Sequence, residues 1–237
     1  MSEFVTSRDG TRIAYDIAGS GPSMILIDGA FCSRQMGPMP KLAGELARHF
    51  RVISYDRRAR GESGDTEPYA VEREIEDIDA LIGVAGGRAA LYGVSSGAAL
   101  ALAAAASGLA VTRLVLFEPP FMVGPRARTV PADHTAALTR MIAEDRRGDA
   151  VKYYMCDIIG MPRFMPFIFQ LLPMWKKLKA NAPSLPYDSA VMADFKLPAA
   201  RAADIRVPTL VLHGSKTWPV LADAAPALAA AIPGARH

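Results

Sequence analysis

The residues best spaced for chemistry are Gly93-Val94-Ser95-Ser96-Gly97. They follow the apolar run Ala89-Ala90-Leu91-Tyr92 and lead into the alanine-rich stretch Ala98–Ala106. That order matches a nucleophile elbow, a sharp strand-to-helix turn that holds a serine exposed. A bulkier side chain at either glycine would crowd the turn. Ser95 is therefore expected to be a nucleophile for acyl transfer. A neutral serine hydroxyl needs a base to take its proton and N–H groups to hold the oxyanion. The Ser96 amide, in the first turn of the following helix, is placed to supply one of those N–H groups, helped by the helix dipole.

Such a serine needs a sheet to stand on. Glu3–Ser7 and Arg12–Ala18 flank Asp9-Gly10, a hairpin signal. Met24-Ile25-Leu26-Ile27 is a solid apolar run, as in a strand buried on both faces. Arg51–Tyr55, Arg88–Tyr92, Thr112–Phe117 and Val207–Gly214 read as further strands. Helices are expected near Lys41–His49, Val71–Val84, Ser96–Ser107 and Leu221–Ala231. In the second of these, Ile75, Ile78, Leu81 and Ile82 fall at helical spacing. Strands alternating with helices argue an α/β fold with a doubly wound, mostly parallel sheet. From Phe121 to about Arg201 the pattern turns to helices, prolines and large apolar residues. The reading is a core of residues 1–120 and 201–237, with a helical cap of residues 121–200 inserted after the sixth strand. The final strand is expected to be missing or incomplete.

Composition narrows the function classes. Of 237 residues, 51% are hydrophobic, enough for the core of one large domain. The net charge is +3, and the densest basic cluster, Arg57-Arg58-Ala59-Arg60, lies in a loop, so no nucleic-acid face is expected. Met1–Thr6 has no secretory signal, and the Ala98–Ala106 helix is too short to span a bilayer, so no membrane partner is expected. Cys32 and Cys156 are too few for a disulfide framework and point to a reducing, cytoplasmic compartment. The expected partner is a small-molecule substrate, and a homodimer is compatible with the chain.

The order of hairpin, Gly19-Ser20-Gly21-Pro22, apolar strand, Gly29 loop, Tyr55-Asp56-Arg57-Arg58-Ala59-Arg60-Gly61-Glu62-Ser63 and serine elbow resembles the α/β-hydrolase family. The resemblance covers residues 3–120 and resumes over 205–237. It implies a serine hydrolase with no metal or organic cofactor, and it implies the Ala30 amide as the second oxyanion donor beside Ser96. Asp28 stands where that family usually has histidine. It reads either as an acceptor bracing the loop or as a polar group near the substrate. Asp56 and Arg58 are expected to brace neighbouring loops.

The usual acid position follows the strand ending at His213, but Gly214-Ser215-Lys216-Thr217 carries no carboxylate there. Asp223 comes later, inside an expected helix. A variation within the fold places the acid after the preceding core strand, where this chain has Glu118, at the carboxyl edge of the sheet. His49, His134 and His213 are expected to lie off the reaction. The resemblance places the base after the final strand, either beyond His237 or at His237 itself. The catalytic set expected within the sequence is thus Ser95, Glu118 and His237. Most of the cap's Met and aromatic residues must pack helix on helix. Phe31, Met155, Phe164, Phe167, Trp175 and Trp218 are the candidates for an apolar pocket over Ser95. The implied reaction is cleavage of an ester, thioester or lactone of a small hydrophobic compound. The alternatives are a binding homologue with an incomplete triad, or different chemistry on the same scaffold.

Overall fold

Apolar runs with no polar alternation are stable in the middle of a sheet that is covered on both faces. They lie there in the computed structural model, which describes residues 2–237. Among these residues, seven strands form one sheet: β1 (Glu3–Thr6), β2 (Arg12–Ala18), β3 (Ser23–Ile27), β4 (Arg51–Tyr55), β5 (Ala89–Val94), β6 (Val111–Phe117) and β7 (Thr209–Leu212). Their order across the sheet is β1-β2-β4-β3-β5-β6-β7. The β1–β2 and β2–β4 pairs are antiparallel and all the others are parallel. The Asp9-Gly10 hairpin forms as expected: Gly10 takes φ 87° and its N–H donates to Ser7 O at 2.9 Å.

The helices are α1 (Met39–Leu46), α2 (Val71–Val84), α3 (Ser96–Ala106), α4 (His134–Ala143), α5 (Arg147–Tyr153), α6 (Met165–Gln170), α7 (Met174–Asn181), α8 (Leu185–Met192), α9 (Ala199–Ala203) and α10 (Pro219–Ala231). The run from α4 to α9 lies between β6 and β7 in the chain. Nine of the eleven α3 residues are buried, because the helix packs on β5 and β6 and is covered by α8. Its small side chains let it sit close to the sheet. A Cβ on Gly93 would lie 2.7 Å from Ala98 Cα, and one on Gly97 would lie 2.6 Å from Asp28 O. Both glycines of the elbow are therefore required by packing, as well as by the turn. No helix among the described residues is long and apolar enough to cross a membrane.

Among the element boundaries that differ from the sequence reading, two have identifiable reasons. β5 continues through Val94, because Gly93 and Val94 still pair with Leu116 and Phe117. α10 starts at Pro219 instead of Leu221, since Trp218 is extended and proline suits the first helical position. The final strand is reduced to one parallel bridge, Leu210 with Arg236, alongside β7.

Candidate active site

Backbone geometry marks the central residue. β5 delivers Val94 to the carboxyl end of the sheet, where the chain must reverse into α3. Ser95 makes that reversal at φ 53° and ψ −124°. Such a conformation costs a residue with a Cβ on the order of 1–3 kcal/mol and persists only where its surroundings enforce it. Here they do. The Ser95 N–H donates to Phe117 O at 3.0 Å, and the Ala98 and Ala99 N–H groups donate to its carbonyl at 2.8 and 3.3 Å. The hydroxyl does not cap the helix and takes no other hydrogen bond among the described residues; it faces a cavity.

The loop after β3 closes on the same point. A Cβ on Gly29 would sit 3.1 Å from the Ser95 Cβ. The loop's carbonyls are turned into the protein. Asp28 O accepts from Arg57 Nη1 at 3.3 Å, Gly29 O from Arg60 Nη1 at 2.6 Å and Phe31 O from Asn181 Nδ2 at 2.7 Å. A trans peptide points its N–H opposite to its C=O. The Ala30 N–H therefore points away from Arg60. The Ser95 carbonyl points along α3, which sends the Ser96 N–H out of the helix N-terminus. Neither amide donates to a protein acceptor among the described residues.

What holds this loop is a buried charge network. Arg57, Arg58 and Arg60 are all almost fully buried. Arg57 donates to both carboxylate oxygens of Glu74, at 2.6 and 2.7 Å, and to Asp188 Oδ1 at 2.7 Å. Arg60 donates to Asp188 Oδ2 at 2.5 Å and to Ser184 Oγ at 2.8 Å. The Ser96 hydroxyl also donates to Asp188 Oδ1, at 2.7 Å. Burial alone would raise the Asp188 carboxyl, but Arg60 and Arg57 outweigh it and hold the group below the usual carboxylate range. One α8 carboxylate thus ties the inserted helices to the Gly29 loop and to the start of α3. Arg58 pairs with Asp77 at 2.7 and 2.9 Å and with Asp9 at 2.8 Å, while Asp56 accepts the Arg34 and Glu62 amides. The sequence reading missed Asp188. Its signal was a single acid inside the apolar stretch Leu185-Pro186-Tyr187-Asp188-Ser189-Ala190-Val191-Met192, in a chain with an arginine-rich loop to pair it.

Neither expectation for Asp28 describes it. Its side chain does not line the Ser95 cavity, and its buried Oδ1 accepts no hydrogen bond among the described residues. Burial pushes this carboxyl up to about 7, against the opposing pull of Arg60 and Arg57. The folded protein then holds a proton that the unfolded chain, with an ordinary value of 3.8, releases earlier. Its contribution to stability is full below that value, falls as pH rises toward about 7 and is flat above. Asp28→Asn should remove this slope. In urea melts across that range the variant should gain on the parent with rising pH, by on the order of 4 kcal/mol at neutrality. A stability difference that stays constant with pH would disprove the assignment.

The cavity over Ser95 has a volume of about 250 Å³ and is lined by no charged side chain. Gly29, Ala30 and Phe31 form one wall, Tyr154, Ile158, Met192 and Phe195 another, and Trp218, Val220 and Leu221 a third. Of the six predicted pocket residues, Phe31 and Trp218 line it. The structure corrects the other four. Met155 is buried in the core, while Tyr154 and Ile158, one turn apart on a neighbouring face of the π-helical turn Tyr154–Ile158, line the cavity. Phe164 and Phe167 are exposed, at 61% and 63%, and Trp175 packs over Gly148 and Lys179. A larger groove of about 930 Å³, between α3 and residues 190–201, opens on neither Ser95 nor Glu118.

Glu118 stands at the end of β6 beside Ser95, at φ 51°, and its Oε1 accepts the Gly214 N–H at 3.2 Å. It lies behind Trp218 and Leu221, outside the Ser95 cavity. Burial, and then the Glu118 carboxylate, push the neighbouring Tyr92 phenol up to about 12. Asp223 is taken up by a surface pair with Arg126. His134 is buried against Ser189 Oγ and the Ala193 carbonyl, and the His213 Nδ1 lies 3.1 Å from Gly214 O.

His237 is not brought to Ser95. Gly93, Leu116 and Val211 share one row of the sheet, and the Leu210–Arg236 bridge sets His237 beside Val211. Ser95 lies two residues further along, about 7 Å, and three strand spacings across, about 14 Å. His237 instead faces the His213 ring, with centroids 5.1 Å apart. Among the described residues no histidine hydrogen-bonds Ser95 or Glu118, and no cluster of three or more His, Cys, Asp or Glu side chains is placed to hold a metal ion.

Known proteins share this fold. The profile of a family described as "Alpha/beta hydrolase family" matches residues 17–237. An alpha/beta hydrolase from Sphaerobacter thermophilus is 50% identical, with a TM-score of 0.93 over 99% of this chain and 90% of that one. The enol-lactonase of Burkholderia xenovorans has the same fold at 24% identity, with a TM-score of 0.71 over 99% of this chain and 89% of that one. Proline iminopeptidase PfmaB of Pestalotiopsis fici is 35% identical over 86 residues, 34% of this chain and 29% of that relative. The chain thus matches less than a third of that curated relative's length.

Proposed function

This chain belongs to the α/β-hydrolase family, and from that premise we propose that it is a serine hydrolase of small, uncharged esters, thioesters or lactones. One observation carries the reading: a hydroxyl held at a strained turn, free of hydrogen bonds, facing an uncharged cavity between two unpartnered amides. Ser95 Oγ attacks the substrate carbonyl carbon. The Ala30 and Ser96 N–H groups hold the oxyanion; as the acyl bond breaks the Ser95 proton ends on the leaving oxygen or sulfur, which departs as an alcohol or thiol, and water then releases the acyl group as the carboxylic acid and restores the Ser95 hydroxyl. The inserted helices act as the cap, since Tyr154, Ile158, Met192 and Phe195 form the wall over Ser95. A carboxylate-bearing substrate would lose its hydration in this cavity with no cation to replace it. The two free cysteines support a reducing, cytoplasmic setting.

A second reading, a binding homologue that does not turn substrate over, is favoured by one specific observation. The proton leaving Ser95 has no histidine acceptor at hydrogen-bond distance among the described residues. A fluorophosphonate probe separates the two, because it reacts with an activated serine. Adduct formation on the Ser95 peptide, located by mass spectrometry, supports the hydrolase. An unlabelled, folded protein that binds apolar esters without consuming them supports the homologue.

A further inference from the structure

Residues Phe164, Phe167, Ile168, Leu171 and Leu172 are spaced as one face of a helix. Such a stripe normally packs inward. Here it points outward: Phe164 is 61% exposed, Phe167 63%, Ile168 47%, Leu171 86% and Leu172 44%, and Met174 extends the patch at 40%. The inward contacts of this segment are made by Pro166 and Phe169. A contiguous exposed apolar patch of this kind marks an interaction site.

Charge identifies the occupant. From Ile158 to Tyr187 the chain has four basic residues and no acidic one. Arg163 is paired with Asp157 at 3.0 Å. Lys176, Lys177 and Lys179, on the helix that follows the patch, are exposed and have no acidic partner within ion-pair distance among the described residues. An apolar face beside unneutralised lysines is the composition of a segment that lies in a lipid interface and is drawn to anionic headgroups. Asp145 and Asp149 border Lys176 and Lys179 but are already paired with Arg147, Arg146 and Lys152, so a symmetric dimer through this patch would bring two lysine rims together without a free acid to receive them among the described residues.

We propose that the α6–α7 segment docks this protein on the surface of an anionic bilayer, with Phe164, Phe167, Ile168, Leu171 and Leu172 entering the headgroup–acyl boundary. The expectation of no membrane partner rested on the lack of a spanning helix, which does not bear on a peripheral surface.

Vesicle flotation tests this, using phosphatidylcholine alone and phosphatidylcholine mixed with phosphatidylglycerol. The protein should float with the anionic vesicles, and high salt should release it. The double variant Phe167→Asp/Leu171→Asp should stay in the soluble fraction. Because both side chains are exposed, its thermal melt should match the parent. The triple variant Lys176→Ala/Lys177→Ala/Lys179→Ala keeps the apolar patch and should bind on the order of 10²-fold more weakly. No flotation of folded parent with anionic vesicles would overturn the proposal, and so would undiminished flotation of the aspartate variant. A dimer by sedimentation that Leu171→Asp dissociates would also overturn it, by showing that a second copy covers the patch.

Discussion

Ser95→Ala should lower kcat/KM for a small apolar ester by on the order of 10⁴-fold or more, while leaving the melting temperature almost unchanged. The two halves of this expectation have separate causes. The activity loss follows from removing the serine hydroxyl that shares a cavity with the Ala30 amide at the sheet's carboxyl edge. The unchanged stability follows because the Ser95 Oγ makes no protein hydrogen bond, and alanine keeps the Cβ that the turn already accommodates. Fluorophosphonate labelling should disappear with the activity. Turnover within tenfold of the parent would remove Ser95 from the mechanism. A fall in melting temperature matching the loss would recast it as a structural residue.

The second large effect is expected at Asp188→Ala. Arg60 has no other acidic partner, so the substitution leaves a buried guanidinium with only neutral acceptors. Breaking a buried pair from one side costs about 3–5 kcal/mol. For a chain of this size that is roughly a 10 °C drop in melting temperature. Arg57 keeps Glu74 and loses less. The acid is held below the usual carboxylate range, so its contribution is present at neutral pH and is lost as pH falls through that range. Activity should fall as well, because Arg60 then no longer fixes the Gly29 carbonyl whose peptide carries the Ala30 amide. The double variant Asp188→Ala/Arg60→Met should recover part of the stability, since the orphaned charge is gone, but not the activity. Melts in which Asp188→Ala equals the parent would show that the network is not under tension.

The α/β alternation, the hairpin and the strand-to-helix turn at Ser95 were legible because each is a local matter, whereas Ala30 was named only through the family resemblance. A glycine must sit where a Cβ would strike Ala98 Cα at 2.7 Å, and a run such as Met24–Ile27 has no polar face to show to water. The pocket walls were not legible in this way. Met155 and Tyr154 are neighbours of similar apolar character, and only the docking of this segment on the core decides which faces Ser95. Phe164 and Phe167 follow the same periodicity as a core stripe, yet face outward.

The sequence by itself determined the strands, the bend at Ser95 and the lone acid and arginine triplet available for pairing, since these depend on neighbours a few residues apart. Only the tertiary structure decided that Asp188 meets Arg57 and Arg60 across more than 120 residues of chain, and that Asp28 is buried without a partner for its Oδ1. It also decided that His237 stops about 7 Å short of the Ser95 row. Those outcomes depend on how separate elements dock and in what register, and docking is set by packing between residues that no local pattern relates.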